Sequence, residues 1–352
     1  MKSKIIMSVL LSLMFSVVSG TLIGGVTGLP IVGVSTVLFS ASFIPMKGGV
    51  ALAGVYREVW TGEVIKVLDS GIKDSFLDGI PDKSRYVIGD DEVQVINSTL
   101  FDVEPDVLIN NTTYPIPLQE LDGTNIPITL DKYQTKVTPI TDDELFALAY
   151  DEIKEVKDSH GNAIVRHNLG KAIHALAPAG DAANTPVITT TGATSTDGTR
   201  KRMRWVDIIN LRERYGAAGI DVDGMRIVLC PDHVNDLLLE DKDLFKTLTN
   251  WRAGVVNSQL GFEIRSYIAA PYFNATALTK LSFGALPTAT DRMASVVFTP
   301  SLARKARGLT KMYYSEARTD PQYQRNLVSF RNYFIALPSV NKAIGAIVSA
   351  PA

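Results

Sequence analysis

The sequence predicts an α+β protein with an extended arm, a long two-stranded excursion, one long spine helix and a mixed α/β subdomain. Three stretches predict it. Thr141 to Pro178 keeps a helical apolar period over an unusual length, Asp90 to Pro139 is rich in Val, Ile, Thr, Asn and Pro, and strand and helix patterns alternate after Arg204.

The first residues stand apart. Met1-Lys2-Ser3-Lys4 is basic, Ile5 to Val18 is apolar without a break, and Thr21 to Pro45 continues almost free of charge. This leader fits three readings: a signal peptide ending near Ser19-Gly20, a second membrane-associated segment or hydrophobic arm over Thr21 to Pro45, or an over-extended reading frame whose start is Met46. From Gly48 to Ile88, short apolar segments around Trp60, Ile65, Phe76 and Leu77 are broken by Gly and Pro, which predicts an extended arm with one or two short helices.

Asp90 to Pro139 alternates on either side of Asp122-Gly123, a turn signal, and so predicts a long hairpin. Its prolines confine it to exposed or edge positions, because proline cannot donate to a ladder. Thr141 followed by Glu144 makes a capping box, with Asp142 and Asp143 at the positive end of the helix dipole. Leu145, Leu148, Ala149, Ile153, Val156, Ile164 and Ile173 form the apolar stripe, and Pro178 stops the helix. Such a run spans on the order of 50 Å, a spine rather than a bundle member. Gly161 and Gly170 mark places for a bend or break.

Ala179 to Thr199 predicts a polar connection with one short strand. Beyond it come a helix at Arg204 to Ala218, a strand at Met225 to Leu229, a helix at Pro231 to Leu239, a further helix or helical turn at Phe245 to Val255, and strands at Leu260 to Ile268 and Met293 to Phe298. Lys311 to Leu337 predicts two long strands separated by Asp320-Pro321, followed by a small, apolar tail.

With 352 residues the chain is long enough for more than one core, and a formal net charge of -2 gives no overall attraction to nucleic acid or anionic membranes. The single cysteine, Cys230, excludes an internal disulfide and any multi-cysteine zinc site.

Each candidate for chemistry has a plainer alternative. His160, His167 and His174 recur every seven residues on the spine helix, about 10 Å apart, too far for one metal ion to reach two of them, so packed or hydrogen-bonded side chains are favoured. Cys230 at a strand end, with His233 three residues on, has the placement of a thiolate nucleophile, against a buried structural cysteine. Asp221-Val222-Asp223-Gly224 begins like a calcium loop but lacks the later ligands, which favours a turn. The basic clusters Arg200-Lys201-Arg202-Arg204 and Arg304-Lys305-Arg307-Lys311 lack interleaved aromatics, so solvated faces or contacts to acidic partners outweigh phosphate binding. Asn97, Asn110, Asn111 and Asn274 fit N-x-S/T, which matters only in a glycosylating cell. No Walker, H-E-x-x-H, G-x-S-x-G or kinase signature occurs, so the sequence assigns no enzyme activity, no catalytic, cofactor-binding or metal residue, and no cofactor.

An arm and an unpaired hairpin are liabilities in a monomer and assets in an assembly. At GVALAGVYREVWTGEVIKVL (Gly49 to Leu68), FLDGIPDKS (Phe76 to Ser84), VLINNTTYPIPLQEL (Val107 to Leu121), LDKYQTKVTPITDDELFALAYDEIKEVKDSHGNAI (Leu130 to Ile164) and KAIHALAP (Lys171 to Pro178), the chain resembles the major capsid proteins of tailed bacteriophages, of the Johnson or Hong-Kong-type fold, in particular those of phages of Bacteroidetes hosts. The resemblance implies a leader at 1-45, an N-arm at 46-88, an extended loop at 89-140, a peripheral domain with the spine helix at 141-203, an axial domain at 204-290, and a return to the peripheral domain with the C-terminal tail at 291-352.

It also implies a structural role: hexamers and pentamers of this chain closing into an icosahedral head around double-stranded DNA. The implied partners are other copies through the N-arm, extended loop and axial domain, then scaffold, portal and maturation proteins, and packaged DNA by non-specific contact, with no membrane in the mature assembly. The implied location is the virion, assembled in the host bacterial cytoplasm. Two rivals remain from the residues themselves. One is a secreted or membrane-anchored bacterial structural or binding protein, supported by the leader and the N-x-S/T sites. The weaker is an α/β enzyme using Cys230 and His233.

Overall fold

The computed structural model describes residues 48–89, 93–101, 123–141, 151–240, 249–250, 255–256, 261–315 and 322–352. The leader, the tip of the predicted excursion, Asn110 and Asn111, and the capping residues Asp142 to Glu144 lie outside the described residues. The chain divides into two compact units, Met1–Val59 and Trp60–Ala352. In the first, the described residues are helical; the remaining description concerns the second.

The predicted extended arm is instead one helix, α1, Gly48–Lys73, of 26 residues. Val64, Leu68 and Ile72 recur every four residues and are buried, so tertiary packing holds a helix through Gly62 and Gly71, which local propensity reads as breaks. After it come β1 (Val87–Gly89), β2 (Gln94–Phe101) and β3 (Gly123–Thr129), an antiparallel sheet in the order β1-β2-β3. The predicted excursion is thus paired, but with a different register. Phe101 pairs with Gly123, so Gly123 opens the returning strand rather than sitting at the hairpin turn; Asp122 lies outside the described residues.

Next are β4 (Asp131–Gln134) and β5 (Thr138–Thr141), then the spine helix α2, described over Asp151–Leu176. Its 26 residues give about 39 Å at the usual helical rise. Neither Gly161 nor Gly170 interrupts it. Its C-terminal carbonyls are satisfied from outside the helix: Lys280 Nζ donates to the carbonyls of His174 (2.8 Å) and Ala177 (2.7 Å). A cation there also meets the negative end of the helix dipole.

The remaining elements are β6 (Val187–Thr189), α3 (Trp205–Ala217), β7 (Met225–Leu229), α4 (Pro231–Glu240), β8 (Thr249–Asn250), β9 (Val255–Val256), β10 (Phe262–Ser266), β11 (Tyr272–Asn274), β12 (Asp291–Phe298), β13 (Ala303–Ser315), β14 (Arg325–Pro338) and β15 (Ile344–Val348). The helix predicted over Phe245 to Val255 is corrected by β8 and β9, which pair Thr249 with Val256 and Asn250 with Val255. Branched Thr249, Val255 and Val256 suit strands better than a short helix.

A six-stranded mixed sheet runs β10-β7-β12-β15-β6, with β11 also on β12. Strands from three of the expected segments, 141-203, 204-290 and 291-352, meet in it. Because side chains alternate faces and both faces are covered, its strands read as continuous apolar runs. Ile227, Leu229, Val297 and Ile347 pack with Ile208, Leu211 and Tyr215 of α3 and Leu237 of α4. Val228, Val296, Phe298 and Val348 face the opposite core, with Leu68 of α1 and Ile173 and Leu176 of α2. The small apolar tail of the sequence is β15, wholly buried between β12 and β6.

The two long C-terminal strands form as predicted, although β13 begins at Ala303, through the basic cluster. One face of this sheet, with Met312, Val328, Phe330 and Phe334, packs into the core shared with α2. Part of the other face, at Ala306 and Tyr333, is covered by Ile96 and Leu130 of the β1-β2-β3 region. Gln94 Oε1 accepts from the backbone N–H of Leu309 at 2.8 Å, fixing the excursion's base to β13.

Candidate assembly surfaces

The residues singled out for chemistry are mostly consumed by the fold. Cys230 is completely buried, and burial pushes its thiol up to about 11. His233 is equally buried. Its Nδ1 lies 2.7 Å from Ser295 Oγ and its Nε2 2.9 Å from Ser349 Oγ, and desolvation lowers its pKa to about 4. A nucleophile must reach substrate and a base must be free to take its proton, so this pair holds β7, α4, β12 and β15 together rather than forming a site.

The spine histidines separate as their spacing requires. His160 Nε2 sits 3.0 Å from Thr138 Oγ1 of β5, His174 Nε2 donates to the Leu281 carbonyl at 2.8 Å, and His167 is exposed. Burial lowers the pKa of both His160 and His174. Asp221 to Gly224 is a turn into β7, with the Asp223 N–H donating to Asp221 Oδ1 and Gly224 at a φ of 79°. Among the described residues, no three His, Cys, Asp or Glu side chains gather as a metal cluster.

Members of both basic clusters are partly exposed and several are paired within the fold. Arg200 pairs with Asp236, which also accepts from the Met203 backbone N–H at 3.0 Å, and Arg204 pairs with Glu240. Lys305 Nζ donates to the Leu77 carbonyl at 2.9 Å, and Arg307 pairs with Asp69. Asn274 Oδ1 accepts from the backbone N–H groups of Thr276 and Ala277, and Asn97 is exposed on β2.

Parts of the surface are apolar. The turn after β11 runs from Ser282 to Thr290 without a charge and exposes Phe283 and Leu286, the latter 89% accessible. It is held at both ends. Leu281 donates to the Tyr272 carbonyl at 2.9 Å, and the Thr288 backbone N–H and hydroxyl both donate to Asp291 Oδ2 at 2.7 Å. Phe283 stands edge-on to His174, with ring centroids 5.4 Å apart. A second surface feature is an open groove of about 530 Å³ along β6, the sheet's edge strand. Val187 and Ile188 of β6, Ala217 of α3 and Leu278 supply its apolar wall, and Thr189, Asn210, the exposed Glu213 and the Asp181–Arg214 ion pair its polar one. A sequence signal for the turn existed in its lack of charge between Lys280 and Asp291; the groove has none, since its walls come from three separate segments. Among the described residues no helix is long and apolar enough to cross a membrane.

No protein-family model and no curated protein matches the chain. Solved structures do. The capsid of Ralstonia phage GP4 superposes with a TM-score of 0.56 at 10% identity, covering 79% of this chain and 88% of that one. The capsid of cyanophage P-SCSP1u gives 0.49 at 14% identity, covering 79% and 88%. At these identities the likeness is one of fold, and the first structure carries it. The chain has the α+β fold of the tailed-phage major capsid proteins.

Proposed function

We propose that the chain is a structural capsid subunit, which assembles with copies of itself into the hexamers and pentamers of an icosahedral phage head enclosing double-stranded DNA. The observation that carries this reading is the fold shared with the capsid of Ralstonia phage GP4 over most of both chains. The paired excursion β2-β3, based on β13, and the apolar surface turn add to it, since both suit a subunit whose surfaces meet others. In this reading residues 46-88 are the arm, 89-140 the loop lying over a neighbour, 141-203 with 291-352 the peripheral domain, and 204-290 the axial domain at the capsomer centre. Scaffold, portal and maturation proteins and packaged DNA are the further partners, and the virion of a Bacteroidetes phage, built in the host cytoplasm, is the location.

The test is particle size, by light scattering and negative-stain microscopy, of the full chain and of Met46–Ala352 expressed separately. Shells, tubes or capsomer rings are the expected result. A monodisperse monomer from both, with the longer chain exported and trimmed, contradicts the reading and supports a secreted protein. Deleting 110–125 is expected to leave a folded subunit that no longer closes shells; unaffected shells argue against the loop's role.

A further inference from the structure

Among the described residues β3, β6 and β13 each end a sheet, and the outer edge of each is closed by a different means. At β3 the Leu130 N–H donates to the Gln94 carbonyl at 2.8 Å, one step before the Val95–Thr129 pair, so the even-numbered pairs carry the ladder bonds and Thr129, Pro127 and Asn125 turn their backbone outward. Proline thus stands within that edge and offers no N–H to an incoming strand. β6 is only three residues long. Its ladder to β15 uses the Pro186 carbonyl and the Thr190 N–H, which leaves the Val187 N–H on the outer side, where Asp181 Oδ1 accepts from it at 2.8 Å. Along β13 the N–H groups of Lys305, Arg307 and Leu309 donate to the Pro81 carbonyl, Ser84 Oγ and Gln94 Oε1 at 3.1, 2.8 and 2.8 Å, and a register shift follows before Thr310. Proline, short length, caps and bulges are the means by which sheet edges are kept from pairing with other chains. A cap also satisfies a donor, which serves the fold. Pro127 satisfies nothing: it removes a donor from an exposed strand at a cost in strand propensity.

We propose that Pro127 and Asp181 guard the outer edges of β3 and β6 against strand addition, an autoinhibitory device whose excluded partner is an extended segment of a second copy. The need for it is written in the strands. β1, β2 and β3 contain no charged residue, so apart from its proline the β3 edge has the uncharged, branched composition that pairs readily with other chains. At β6 the open groove of about 530 Å³ gives a segment access to the edge that Asp181 covers. With these edges closed, copies meet through side-chain faces instead. The inference goes beyond the capsid reading, since a shell crowds identical edges together but a concentrated monomer needs the same protection.

The test compares four variants of the full chain by thioflavin T binding at neutral pH, with the urea unfolding midpoint measured beside it. Pro127→Thr restores the outward N–H with a branched strand former at an exposed position. Asp181→Ala uncovers the Val187 N–H, Asp181→Asn keeps an accepting oxygen there, and Arg214→Ala removes the ion pair of Asp181 while leaving the cap. Pro127→Thr and Asp181→Ala are expected to form strand-rich aggregates about tenfold faster or more, and Asp181→Asn and Arg214→Ala to behave as the unmodified chain. Folded Pro127→Thr and Asp181→Ala proteins that aggregate no faster overturn the inference. Equal aggregation of Asp181→Ala and Asp181→Asn also overturns it, because the lost ion pair then accounts for the effect. Should Pro127→Thr lower the unfolding midpoint, the Asp181 series decides alone. A chain that never forms shells, with the variants still divided as expected, removes the capsid reading and leaves this inference standing.

Discussion

Gly71 of α1 lies directly against Val165 of α2: a methyl group on Gly71 would stand 2.7 Å from one Val165 methyl and 2.9 Å from the other. Four residues earlier the roles reverse, and a methyl on Gly161 would come 3.0 Å from Val67. Four earlier still, Lys157 pairs with Glu63, at the same offset of 94 residues. Both numberings rise together, so the helices run parallel, each notched where the other carries valine. Alanine in place of a helical glycine ordinarily gains up to about 1 kcal/mol. Here the sign inverts. Val165 has one comfortable rotamer in a helix and cannot swing aside, so Gly71→Ala is expected to cost about 1 to 2 kcal/mol net. Adding Val165→Ala should return part of that loss. Urea unfolding of the single and double variants measures it; a stabilised Gly71→Ala would show that the notch is not filled.

The Lys157–Glu63 pair should respond unequally to truncation. The Lys157 side chain is 5% exposed and that of Glu63 39%. Glu63→Ala takes a carboxylate away from a largely buried ammonium, whereas Lys157→Met leaves a carboxylate that water reaches. The first is expected to cost more stability than the second. Equal losses would mean that the lysine stem's packing, rather than its charge, dominates.

These helices also show where the sequence was readable. Ile164 and Ile173 lie on the spine's buried stripe as predicted, and the strands at Met225 to Leu229 and Met293 to Phe298 are recovered because each is a dense apolar run. The arm reads differently from its structure because Gly71 is a break by local propensity and a notch by packing against Val165, 94 residues away, while Gly62 faces open space within the same helix. Register fails similarly at Gly123, which reads locally as the second residue of a turn but pairs with Phe101 in a strand. For Cys230 and His233 the spacing was visible, but their burial follows from Ser295 and Ser349, distant in sequence and unremarkable there. Leu286 shows the converse limit: a lone leucine in a turn has no periodicity to declare that it faces water.

His233 sets an acid limit. Its neighbours are the hydroxyls of Ser295 and Ser349, the buried Cys230 thiol, and the charges of Asp236 and Arg200, the first favouring its protonation and the second opposing it. Desolvation dominates and puts its folded pKa near 4, below the ordinary 6.5. Between these values the unfolded chain holds a proton that the folded chain lacks, so stability falls as pH drops from 6.5 and the loss is complete below 4. The full effect is roughly 3 kcal/mol. Buried His160 and half-buried His174 act in the same direction. Chemical unfolding at pH 7 and pH 4.5 should show the decline, and His233→Gln should flatten it; an unchanged slope in that variant would assign the acid sensitivity to other groups.

Asn168 carries a penalty that a substitution can remove. It is fully buried in α2, and among the described residues neither its amide nitrogen nor its carbonyl oxygen has a hydrogen-bond partner. Its helix neighbours Ile164, Val165, Leu169 and Ala172 belong to the apolar core. A buried amide without partners forfeits its hydration for nothing, at about 1 to 3 kcal/mol, while a leucine of similar size at that position has no such loss and is a better helix former. Asn168→Leu is therefore expected to stabilise the subunit by about 1 kcal/mol or more, and Asn168→Asp to destabilise it severely, because it would bury a carboxylate among apolar side chains. Thermal unfolding of the three proteins decides the matter. A lower melting temperature for Asn168→Leu would mean that an ordered water satisfies the amide, in which case the same water should appear bonded to Asn168 in a crystal structure.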